Sequence, residues 1–130
     1  MLAPAYKHLS VYRKSMQLAM EIFESSKTFP PEERFGLQEQ IRTSSRLICA
    51  HLAEAWQNRD NIETFIKKLI AAEEAVSKTR TWSEFAFKCG YWNTEFSSDI
   101  QRECNHASNQ IRLMIKHAQD WITPGDSSCD

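Results

Sequence analysis

The chain has 130 residues, 42% of them hydrophobic and 25% charged, which suits one ordinary domain with a single buried core and excludes an intrinsically disordered chain. Three glycines and four prolines are too few for an all-β chain, which needs a turn every ten residues or so. Sixteen basic against seventeen acidic side chains exclude a strongly basic nucleic-acid binder, but leave room for a local basic face.

Four helical stretches follow in chain order. The first spans 6–27, with Leu9, Tyr12, Met16, Ala19, Met20 and Phe23 at spacings of three and four forming its inward stripe. It stops at Phe29-Pro30-Pro31, because a residue before proline is pushed out of the helical region. The second spans 31–57 on the stripe Leu37, Ile41, Ser44, Ile48, Leu52 and Ala55; Gly36 delays its regular part. Asp60 with Glu63 reads as the capping box of the third, which runs to Lys88 with Ile62, Phe65, Ile66, Leu69, Ala72, Val76 and Phe87 inward. Gly90 stands where a left-handed C-terminal cap belongs.

Asn93 or Thr94 caps the fourth stretch, whose stripe is Phe96, Ile100, Ala107, Ile111, Met114, Ala118 and Trp121. Thr123-Pro124-Gly125 ends it. Residues 1–122 are thus expected to make one domain and 123–130 a disordered tail. Short connections force consecutive helices to be antiparallel neighbours, so the expected fold is all-α, an up-down-up-down antiparallel four-helix bundle. No apolar run reaches the roughly 20 residues of a membrane span, and the start lacks a signal-peptide core, so the expected location is the cytoplasm. Cys49, Cys89, Cys104 and Cys129 show no CxxC pairing and are expected to stay reduced.

Chemistry-bearing patterns are sparse. Glu103-x-x-His106 occurs once, where a di-iron bundle needs two copies and two further carboxylates, so no metal or other cofactor is expected. The four histidines form no Ser/His/Asp or Cys/His pattern, and three glycines build no phosphate loop; the chain reads as a non-enzyme. Arg13, Lys14, Arg42, Arg46, Lys67 and Lys68 are the candidate nucleic-acid contacts, best assembled if the first and third helices share a side. The fourth stretch holds twice as many acidic as basic residues and should face away from RNA. Trp56, Trp82, Trp92 and Trp121 fall near helix ends, as bundle-end packing, subunit contact or base-stacking platforms. Glu54, in an apolar context, is expected to pair with a basic side chain on a neighbouring helix and fix the register.

The string Phe29-Pro30, Glu33-Arg34-Phe35-Gly36-Leu37, Gln40-Ile41-Arg42 resembles the bacterial four-helix-bundle family named for 23S rRNA intervening sequences. Further pieces are Tyr6-Lys7-His8-Leu9, Val11-Tyr12, the segment from Leu47 to Ala55, Phe65, Leu69, Ala72 and Gly90-Tyr91, so the resemblance covers roughly residues 6–92. It departs from the family at His51 for Asn, Ala55 for Gly and Leu47-Ile48-Cys49 for Ser-x-Pro, which alters any polar contact made there. The resemblance implies a homopentamer without enzymatic activity. It also points to relatives encoded within rRNA insertions, and to an accessory protein of diversity-generating retroelements that partners a reverse transcriptase and binds nucleic acid. Two functions follow as expectations: a homo-oligomeric scaffold or adaptor that contacts RNA, or a protein-interaction module with no affinity for nucleic acid.

Overall fold

Helix α1 (Ser10–Ser25) opens the fold and tightens into a 3-10 turn at Ser26–Thr28. A second 3-10 turn, Pro31–Glu33, leads into α2 (Leu37–Gln57), followed by α3 (Ile62–Lys88), α4 (Thr94–Lys116) and the single turn α5 (Ala118–Trp121). The computed structural model describes residues 9–122. The expectations for residues 6–8, for the tail at 123–130 and for Cys129 lie outside the described residues.

The helices form an antiparallel up-down-up-down bundle. Helix α1 packs on α2 and α4, and α3 packs on α2 and α4. Consecutive helices are neighbours because their loops are short, so α1 and α3 fall on a diagonal. That corrects the expectation that the first and third helices share a side. Phe65, Leu69, Ile22, Ile41, Ile48, Ile100 and Ile111 are fully buried at the centre. Small side chains let α2 and α3 approach closely, and the Thr79 hydroxyl donates to Ser44 Oγ at 2.9 Å inside that contact.

Two helix boundaries depart from expectation, and the cap of α4 and the turn at Gly90 follow it. The cap of α3 is Asn61, whose side chain accepts from Thr64 N at 3.1 Å; Asp60 lies one residue outside. Asn93 caps α4 in the same way on Phe96 N, and Gly90 takes φ 81°, the left-handed conformation that glycine adopts without strain. The fourth stretch breaks at His117 rather than running unbroken to Trp121.

The buried face of α1 is Val11, Ser15, Leu18, Ala19 and Ile22, while Met16 and Met20 are exposed. The expected stripe was thus turned by about one residue, roughly 100° on a helix. On α3 it is Ala86 that is buried, and Phe87 faces solvent. Among the described residues, no helix is long and apolar enough to cross a membrane.

Candidate functional site

Both ends of the bundle are closed by aromatic clusters. At one end Phe29 lies 5.0 Å from Tyr91 and 5.7 Å from Trp92, and Trp92 meets Phe96 edge-on at 4.8 Å. At the other, Trp56 meets Trp121 edge-on, with the Arg59 guanidinium 3.8 Å from the Trp56 ring centre. Trp82 lies beside Phe85 on α3. Trp92 is buried and the other three tryptophans are half-buried, so packing at the bundle ends takes up much of the surface a base would stack on.

Glu33 links the first of these ends together. Its Oε1 accepts from Leu37 N at 2.9 Å, filling a donor at the start of α2, and its Oε2 accepts from the Tyr91 hydroxyl at 2.9 Å. The carboxylate raises the Tyr91 phenol to about 12. A Cβ on Gly36 would come within 2.9 Å of Glu33 Oε1, so glycine is what leaves the capping oxygen its place. Much of the string that resembles the family is thereby accounted for by folding: Phe29, Glu33, Gly36, Leu37, Ile41, Gly90 and Tyr91 build one corner of the bundle.

The six basic candidates do not form one surface. Arg42 and Arg46 come together on the seam between α1 and α2, over the Phe23 ring at 4.6 and 5.6 Å. Lys27, which the sequence reading passed over, joins them at 4.9 Å from the same ring. The signal was present as the four-residue spacing of Phe23 and Lys27, which puts both on one face. Arg42 also closes the end of α1: its Nε donates to Ser26 Oγ at 2.8 Å and its Nη2 to the Phe23 carbonyl at 3.2 Å. Partial burial, followed by repulsion from Arg46, lowers the Arg42 pKa.

The other four candidates lie elsewhere. Arg13 and Lys14 are exposed on α1, with Lys14 Nζ 3.3 Å from His106 Nε2 on α4. Lys67 is exposed on α3, diagonal to α1, and Lys68 Nζ reaches Glu54 Oε1 at 3.3 Å. Glu54 also meets His51 Nδ1 at 3.3 Å, and its side chain remains 48% exposed, so it sits at the rim and not in the core. The hydrogen bond from His51 and then that from Lys68 hold its carboxyl below the usual range.

An acidic face lies on the opposite flank of α1. Glu21 stands across from Asp99 and Glu103 of α4, and burial followed by Glu103 and Asp99 raises its pKa. Cys49 and Cys104 are free and buried, their thiols pushed up to about 11 and about 12 by loss of water; neither resembles an activated nucleophile. Among the described residues, no three of His, Cys, Asp and Glu group so as to hold a metal ion.

Of the solved structures, a protein of unknown function from the S23 ribosomal protein family of Bacteroides thetaiotaomicron is similar to this chain. The match has a TM-score of 0.75 and 27% identity, and covers 82% of this chain and 96% of that one. Comparison with curated proteins returns no match. The family model described as 23S rRNA-intervening sequence protein matches residues 7–113, more than half of the chain. A helical bundle, with a corner built from the very residues that carry the family string, belongs to the family of 23S rRNA-intervening sequence proteins.

Proposed function

We propose that the chain is a non-enzymatic scaffold of the cytoplasm that assembles with copies of itself, as a pentamer by family resemblance, and contacts RNA through the seam between α1 and α2. The observation that carries this reading is the gathering of Lys27, Arg42 and Arg46 around the half-buried ring of Phe23. Arg42 and Arg46 repel one another while Lys27 is answered in part by Glu24, and a phosphate beside them relieves that repulsion. Each copy adds only a modest positive patch, and repetition in an oligomer multiplies it.

Fluorescence anisotropy with a structured RNA, from about 50 to about 200 mM salt, tests the RNA contact. Three phosphate contacts should weaken binding roughly 20- to 40-fold over that range. Arg46→Glu should remove it, and is preferable to Arg42→Glu because Arg42 also holds the end of α1. Retained binding in Arg46→Glu would move the contact away from this seam. No binding at about 50 mM salt would leave the second reading, a protein-interaction module without affinity for nucleic acid. Exposed Phe35, Phe85 and Leu113, each more than half accessible, favour that reading.

A further inference from the structure

Phe35 is 78% exposed, far more than any other large apolar side chain in the described bundle. Its ring is stacked by the Arg34 guanidinium at 5.2 Å, and the pair projects from the turn between α1 and α2. That turn is held firmly. Arg34 N donates to the Pro31 carbonyl at 3.1 Å, Gly36 N to the Glu33 carbonyl at 3.0 Å, and Leu37 N to the Glu33 carboxylate. A rigid aromatic knob loses little entropy on docking. Glu33, Gly36 and Leu37 beside them serve the fold, whereas Arg34 and Phe35 are exposed.

At the same end of the molecule, α1 and α4 leave an open groove of about 520 Å³. Met20 and Phe96 supply its apolar surface, and Glu21 and Glu24 stand at its rim. Glu103 extends the negative field along α4, whereas Asp99 is paired with Arg102 one turn further on. Glu24 is half-answered by Lys27 at 3.2 Å, while Glu21 faces the two α4 carboxylates. The groove therefore offers a thioether and a ring to an aromatic side chain, and carboxylates to a cation beside it.

We propose that the Arg34–Phe35 knob of one copy docks in the Met20–Phe96 groove of a second copy, with Arg34 beside Glu21. Knob and groove lie on different flanks, so each copy presents both halves. The contact then propagates head to tail and closes into a ring when the rotation permits, or pairs two copies reciprocally. This inference rests on the self-assembly reading above and names its interface; it uses neither Arg42 nor Arg46 of the Phe23 seam.

Light scattering on the full chain over a range of about 10–200 µM decides it. Wild type should form an oligomer, and Phe35→Ala and Met20→Lys should each weaken association at least about tenfold, toward the 15.1 kDa monomer. Both side chains are exposed, so circular-dichroism melts should show folded variants. Mixing the two variants should produce a two-chain species, because one still carries a groove and the other a knob. Oligomers of wild-type mass in both variants would overturn this interface while leaving self-assembly standing. Weakened variants that fail to pair on mixing would also overturn it. A monomeric wild type throughout the range would overturn the interface and the self-assembly reading together.

Discussion

Glu33 uses both oxygens of one carboxylate, one on the start of α2 and one on Tyr91. Glu33→Ala should cost about 1–2 kcal/mol, roughly 3–8 °C in Tm, and Tyr91→Phe less. Thermal melts of the double variant should show less than the sum, since one bond is removed by either change. Glu54 is a different case. Its folded pKa is depressed, so its stabilisation is present above the ordinary carboxylate pKa and is lost as pH falls through the folded value. Because half of the side chain meets water, Glu54→Gln should cost less than about 1 kcal/mol at pH 7, with the difference closing in acid. A loss of several kcal/mol in melts across pH would contradict this placement. A basic partner for Glu54 is an expectation from its apolar context, and the pair with Lys68 lies at the rim because depth depends on where α3 arrives.

At the scale of the helix, propensity and breaks located all four long elements to within a few residues, and the stripe of α2 was read correctly throughout. Its apolar residues form one narrow band, so only one face can go inward. Helix α1 was read a residue out of phase because it carries two adjoining apolar bands. Val11, Leu18 and Ile22 compete with Met16, Met20 and Phe23, and a buried Ser15 gives no hydrophobic signal. Packing against both α2 and α4 decided between them. The start of α3 was ambiguous in the same manner, since Asp60 and Asn61 are adjacent and both are good caps. Asn61→Ala should cost about 1 kcal/mol in a chemical or thermal melt. Asp60→Ala should stay within about 0.5 kcal/mol, and equal costs would show that the cap is shared.

For the molecule as a whole, the arrangement of charge matters more than its nearly neutral sum. The α2 flank of α1 carries Arg42, Arg46 and Lys27, and its α4 flank carries Glu21, Glu103 and an Asp99 paired with Arg102. Surface charges a Debye length apart are largely screened, so patches on separate flanks act separately, and mean composition cannot report either. The mixing and salt experiments above therefore probe surfaces that no residue count reveals. By itself the sequence determined four helices, their antiparallel order and most of the core, because hydrophobic periodicity and short loops are local or nearly local constraints. It also carried the family string, though not the job each residue of that string performs. Only the tertiary structure decided that α1 and α3 are diagonal, that Lys27 joins Arg42 and Arg46 at Phe23, and that Phe35 is left outside. Those outcomes depend on the rotation of each helix about its axis, which the packing of neighbouring helices selects.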